Sequence, residues 1–283
     1  MMFENHRTFK TQFAGRELIV ETGKTCMLSN GSCWVRYGDT VVMANVTMSA
    51  KPREGIDFFP LSVDYEERLY AVGKIPGSFL KREGRPSERS ILTSRMVDRP
   101  IRPLFPKDMR NDVSVVMTVL STDMDNQPEI TGLIATSVAL SISDIPWNGP
   151  VSSVFVGLVD GEVVINPTAA QREKSTLELT VASSAKKVVM IEAGADQFPD
   201  DMMLTAIAKG HEEIKRLIEF VSDIQSQCGL AKAEYPSVKL PEELFEAVKG
   251  YAMCRVKDAV DTDDKTVRDA RIAEITADVK EHF

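Results

Sequence analysis

The segment "PEITGLIATSVALSIS", residues 128–143, constrains the fold more than any other stretch of this 283-residue chain. Pro128 suits the first position of a helix, where a missing N–H leaves no bond unmade. Ile130, Leu133, Ile134 and Val138 supply apolar bulk, while Gly132, Ala135, Ala139 and Ser141 let neighbours approach closely. A helix that is apolar or small on every side has to be enclosed. The rest of the chain must therefore build layers around it.

Those layers are readable on both sides. "RTFKTQF-AGR-ELIVETG" and "SCWVRY-GDT-VVMANVTM" each set a Gly-containing turn between β-branched or aromatic runs, which is a hairpin pattern. "VSVVMTVLST" (113–122) reads as another strand. "VSSVFVGLV-DG-EVVINP" (151–167) is a hairpin whose Asp160-Gly161 suits a two-residue primed turn. "TLELTVA" and "KKVVMIEA" complete the strands. A long helix is expected over 200–227: its two opening acids suit the positive helix N-terminus, and Leu204, Ile207, Ile214, Leu217, Ile218 and Val221 recur at helical spacing.

From about residue 235 the strand pattern disappears, and acids and bases alternate on helical faces. The expectation is an α+β protein with a first domain at 1–228, a linker at 229–241 and a small all-α domain at 242–283. The pattern of that last domain reads as incomplete. Four cysteines far apart, with no C-x-x-C pair, argue against a disulfide framework or a zinc site, and three scattered histidines against a His-centred triad. No apolar run approaches the roughly 20 residues of a membrane span, and the opening lacks the apolar middle of a secretory signal. These features suit a reduced, cytoplasmic protein with no membrane partner.

One stretch departs from the overall balance. The chain carries a net charge of −8, yet Lys81 to Arg102 holds seven Lys/Arg against three Asp/Glu. Pro86 and Ser87 open a helix there that Pro100 is expected to end at Arg99. On a helical wheel Ile91, Leu92 and Met96 share a stripe with Arg95, while Ser90, Thr93 and Ser94 lie opposite. This places Arg95 toward the packed side, with Glu88 or Asp98 as its acid. Arg99, Arg102 and the loop "KREGR" are left without evident acids, which favours a polyanion. Lys81, Arg82 and Arg85 follow Phe79 and Leu80, and cations beside an aromatic ring suit single-stranded nucleic acid.

Among the acids, "DYEER" (64–68) could line a metal, but Arg68 beside them favours an ion pair. "DTDD" (261–264) reads as a helix cap. Met202-Met203 and Phe58-Phe59 read as core.

"DFFPLSVDYEERLYAVGKIPGSFLKREGRPSE" (57–88), "RMVDRPIRPLFP" (95–106) and "IEAGADQFPDDMMLTAI" (191–207) closely resemble the N-terminal part of the bacterial polynucleotide phosphorylase family. The likeness runs along the chain, from "GRELIVETGK" (15–24) and "RYGDTVVMANV" (36–46) onward. It implies an RNase PH-like domain of the ribosomal S5 domain 2-like type, mixed sheets packed with helices, followed by part of an all-α domain. It also implies phosphate-dependent 3′-to-5′ degradation of single-stranded RNA, with reversible polymerisation of nucleoside diphosphates. The family works as a homotrimeric ring, with partners in RNA-degrading complexes.

By the same resemblance, the loop at Phe79, Leu80, Lys81 and Arg82 grips the incoming strand. Leu80 stands where the family often has a second phenylalanine. Arg95, Arg99 and Arg102 line the RNA route, and Arg85 either serves the same end or braces the turn. Mg²⁺ (or Mn²⁺) and inorganic phosphate belong to the family's second RNase PH-like domain, held by paired aspartates and a lysine. Here Arg172, Glu178 and Thr180 fall at those three positions, so neither a catalytic nor a metal residue is expected in this chain. Two alternatives remain: a stand-alone RNase PH-like enzyme, and a non-catalytic RNA-binding scaffold.

Overall fold

The computed structural model describes residues 3–53, 55–78, 84–237 and 241–283. The backbone divides into two units, Met1–Pro236 and Ser237–Phe283.

The first unit begins with the two expected hairpins, β1 (Arg7–Phe13) with β2 (Arg16–Thr22) and β3 (Gly31–Tyr37) with β4 (Thr40–Met48). β5 (Leu61–Glu67) leads through α1 (Glu88–Ile101) to β6 (Val113–Ser121). β5 lies parallel to β6, the arrangement a helical crossover permits, and the six strands run β1-β2-β3-β4-β6-β5. After α2 (Pro128–Ile142), a second sheet of order β10-β9-β7-β8 is built from β7 (Val151–Val159), β8 (Glu162–Ile165), β9 (Leu177–Ser184) and β10 (Val188–Ala195). The short helix α3 (Ala169–Arg172) joins β8 to β9, and α4 (Asp200–Cys228) follows β10.

Asp160 and Gly161 turn the β7–β8 hairpin with φ of 52° and 82°, the positive pair that a primed turn requires. α2 lies against β3 and β4 of one sheet and β7 of the other, with α4 alongside. Every residue from Ile130 to Ile142 is buried, which is the enclosure its composition demands. Gly31 shows how close the approach is: a Cβ there would meet the Ala139 carbonyl oxygen at 2.3 Å. α4 buries Ala206, Gly210, Ile214, Leu217, Ile218, Val221 and Ile224 against β7, β9 and α2.

Part of the expected linker is tied to this first unit. The Leu230 and Ala233 amides donate to the Ile142 and Asp144 carbonyls, and Lys232 Nζ reaches the carbonyls of Leu140, Ser141 and Ser143 at 2.7–3.2 Å. The lysine caps the negative C-terminal end of α2.

The second unit is a hairpin of α5 (Glu242–Val260) and α6 (Lys265–His282) around Ala252, Ala259 and Ile275. Asp264, from "DTDD", caps α6 by accepting the Thr266 and Val267 amides at 2.8 and 3.2 Å. Among the described residues no helix is long and apolar enough to cross a membrane. Two core expectations fail: Phe58 is exposed, and Met202 is half-buried outside the core cluster, whereas Met203 packs against that core and Phe59 packs with its ring 4.8 Å from that of Phe105.

Candidate nucleic-acid interface

Ser87 opens α1, its hydroxyl accepting the Ser90 amide at 3.0 Å. The helix does not stop at Arg99. It runs through Pro100 to Ile101, because a proline in the last turn forfeits a single backbone bond and Ile101 is wholly buried.

Its packed face is not the apolar stripe that the wheel suggests. Ser90, Thr93, Val97 and Ile101 are buried, whereas Ile91 and Leu92 are 52% and 59% exposed. The small hydroxyl face lets α1 lie close to β5, and the Ser94 hydroxyl both accepts the Tyr65 amide at 3.1 Å and donates to the Ser90 carbonyl. A wheel counts carbon; this contact selects for size and for hydrogen bonding.

The rotation relocates every arginine on the helix. Arg95 is exposed, not packed, and pairs with neither Glu88 nor Asp98. Arg85, just before the helix, is also exposed, and among the described residues no carboxylate pairs with either one. Arg99 has an acid after all, Glu192 of β10 at 3.2 Å, with both side chains more than half exposed. Arg102 is the least free. It grips Asp98 with two bonds of 2.9 and 2.7 Å and donates to the Phe59 and Leu61 carbonyls at 3.3 and 3.1 Å. The expectation that Arg99 and Arg102 lack acids is therefore corrected, and Arg102 ties α1 to β5. Phe79, Leu80, Lys81 and Arg82 lie outside the described residues.

Sequence reasoning passed over Arg89. Its Nε donates to Glu129 at 2.9 Å, and that carboxylate holds the guanidinium pKa above its ordinary value. The partner lies 40 residues away on α2, and no local spacing signals it. The Asp98–Arg102 pair was legible, since residues four apart on a helix face one another. Arg68 pairs with Glu66, as the sequence "DYEER" suggests.

The positions matched to a metal site behave differently from one another. Arg172 Nη1 donates to the Pro167 carbonyl at 2.8 Å and that of Asp125 at 3.3 Å, and Nη2 donates to Met124. The 123–126 turn it holds is also shaped by Asp123. That carboxylate accepts the amides of Asp39, Asp125 and Asn126 and the Asn126 side chain. Burial pushes the Asp123 pKa up, but these donors outweigh it and hold the group below the usual carboxylate range. Glu178 and Thr180 instead line a groove of about 340 Å³ with Leu92, Met96, Phe155 and Glu192. Arg172 faces another pocket altogether.

Position 172 thus carries a cation, and Glu178 stands apart from it in the other groove, where the one further acid, Glu192, is paired with Arg99. This donor set does not fit a divalent ion, and among the described residues no group of three or more His, Cys, Asp or Glu could hold one. The chemistry that remains is attraction of anions by open guanidiniums beside an exposed apolar strip.

Comparison with known proteins shows what the chain is similar to. The model of the 3′ exoribonuclease family, domain 1, matches residues 14–146, and that of domain 2 matches residues 149–213. The polyribonucleotide nucleotidyltransferase of Ruminiclostridium cellulolyticum is 58% identical over 274 residues, 97% of this chain and 39% of that protein. That of Clostridioides difficile is 56% identical over 282 residues, spanning 100% of this chain and 40% of that one. The chain spans about 40% of the length of the curated relatives it matches. Rice (Oryza sativa) Rrp46 superposes with a TM-score of 0.59 at 15% identity, covering 77% of this chain and 94% of its own, a likeness of fold.

Proposed function

The chain belongs to the 3′ exoribonuclease family, and from that premise we propose that it forms the RNA-guiding N-terminal part of a phosphate-dependent 3′-to-5′ exoribonuclease. The parent activity is that of a polyribonucleotide nucleotidyltransferase, reversible in the presence of nucleoside diphosphates. The single observation that carries this reading is the contrast among its arginines. Arg85 and Arg95 stand open to a phosphate backbone, while Arg172 is bound into the fold where the family resemblance expects a metal ligand.

In this reading single-stranded RNA runs along the exposed side of α1. Arg85 and Arg95 neutralise phosphates, displacing condensed counterions. Arg99 joins them when its exposed pair with Glu192 opens. The loop Phe79, Leu80, Lys81 and Arg82 supplies further charge and one ring for stacking. Arg102 contributes by fixing α1 on β5. Phosphorolysis needs an attacking phosphate and a divalent ion to offset charge at the phosphorus under attack. Mg²⁺ or Mn²⁺ and phosphate are assigned to residues outside this chain, as are the remaining contacts of a homotrimer working in the cytoplasm with RNA-degrading partners.

The purified chain mixed with poly(A), phosphate and Mg²⁺ is expected to release no ADP while still retaining labelled RNA. ADP release at an enzyme-like rate that survives repurification overturns the division of labour. Lys81→Ala with Arg82→Ala is expected to weaken RNA binding and flatten its salt dependence; unchanged binding removes the loop from the path.

A further inference from the structure

Between α1 and the second sheet lies the groove of about 340 Å³ lined by Leu92, Met96, Phe155, Glu178, Thr180 and Glu192 among others. We propose that it takes one unstacked base of a bound RNA strand and selects the amino-bearing bases, adenine, cytosine and guanine, over uracil. The inference rests on the reading of α1 as the RNA path.

Strand register builds the floor. Phe155 of β7, Thr180 of β9 and Glu192 of β10 are paired in one row across the sheet, and Glu178 lies in the next row, opposite Gly194. Alternation along a strand puts these side chains on one face, turned away from α4, whose Gly210 packs on Val154, Val156 and Val181. The glycine leaves the space beside the Glu178 carboxylate open. Among the described residues, a Cβ at Gly194 would meet only the Glu178 Cβ, at 4.0 Å. Leu92, 59% exposed, and Met96 form the wall on the α1 side. With the Phe155 ring they offer the apolar surface on which a splayed-out base lies. The volume is at the small end of ligand sites, which suits a single base.

The charged groups on the floor are acceptors. Glu178 is exposed and among the described residues pairs with no cation. Glu192 is held by Arg99 at 3.2 Å, with both side chains more than half exposed. A phosphate that takes Arg99 releases Glu192 to the groove as a second acceptor. Arg89 adds no free charge, since Glu129 engages it. The groove is therefore acidic and repels phosphate, which leaves the sugar-phosphate chain to Arg95 and Arg99 on the same helix. An ionised carboxylate only accepts hydrogen bonds. Its answer on a base is an exocyclic amino group, as when Glu or Asp takes the N4 amino of cytosine. Uracil flanks its one N–H with two carbonyl oxygens, which meet a carboxylate as like partial charges.

Fluorescence anisotropy of the full chain with labelled oligocytidylate and oligouridylate of equal length tests this. The two bases match in size and differ at the edge that a carboxylate reads. Oligocytidylate is expected to bind at least fivefold more tightly. Glu178→Gln, whose amide can donate to a uracil carbonyl, should bring the two affinities within twofold of each other. The lost charge raises both affinities together and cancels in their ratio. Gly194→Val, which fills the space beside Glu178 at a strand position, should also abolish the preference while RNA is still retained. Equal affinities in the wild type, or a preference that survives either substitution, overturn the groove and leave the RNA path standing. Binding of neither oligonucleotide overturns both.

Discussion

On α1, the Arg95 side chain is exposed and pairs with no carboxylate among the described residues; between β8 and β9, the guanidinium of Arg172 is folded back onto the carbonyls of Met124, Asp125 and Pro167. The two residues carry the same charge, and both fall in stretches where the family resemblance expects function. The fold uses one as a bracket and leaves the other free. An arginine's availability is a property of the oxygens around it: five fixed donors will consume any carbonyl or carboxylate that the backbone presents. Arg102 lies between the extremes, bonded at both ends yet partly exposed.

The largest effect that tests this contrast is at the bracket. Arg172→Ala strips three carbonyls of their donor and should cost about 2 kcal/mol of stability in urea titration. A loss near zero would show that the 123–126 turn holds itself.

Asp123→Asn attacks the same turn from its other side and should cost about 1.5 kcal/mol at neutral pH, since charged hydrogen-bond acceptors are the strong ones. The folded pKa of Asp123 is depressed. Its contribution is therefore present above the ordinary carboxylate value and lost as pH falls through the folded pKa. The gap between wild type and variant should close in acid, and a gap that widens there would refute the assignment.

Turning to the free arginines, Arg85→Glu with Arg95→Glu should weaken binding of a fluorescent oligoadenylate at least tenfold, about 1.4 kcal/mol. The slope of log affinity against log salt should flatten by about 1.4 if both contact phosphate. Tm should not move, because neither side chain holds the fold together. Arg102→Ala, the smallest effect, should do the reverse: about 1 kcal/mol of stability lost and RNA affinity within about threefold of wild type. If Arg102→Ala costs more affinity than the double reversal, the assignment of free and bound arginines is wrong.

Much of the fold was legible because its determinants are local. Hairpin turns such as Asp160-Gly161 announce their geometry, and α2 announces its burial by having no polar face. The candidate site was legible only in part. The i,i+4 pair of Asp98 and Arg102 could have been read, but the Arg99–Glu192 and Arg89–Glu129 pairs join residues 93 and 40 positions apart. The rotation of α1 was misread for a related reason. Ile91 and Leu92 carry more apolar surface than Ser90 and Thr93, yet the buried face is the one whose Ser94 hydroxyl takes the Tyr65 amide of β5.

By itself the sequence determined the hairpins, the central helix, the long helix after β10, the concentration of positive charge and the family. Periodicity, turn chemistry and residue identity are written along the chain and need no partner to be read. Tertiary structure alone decided which of those charges face solvent and that Arg172 and Glu178 look into different pockets. Those outcomes depend on which distant oxygens come within three ångströms of a given nitrogen, a distance that no spacing along the chain encodes.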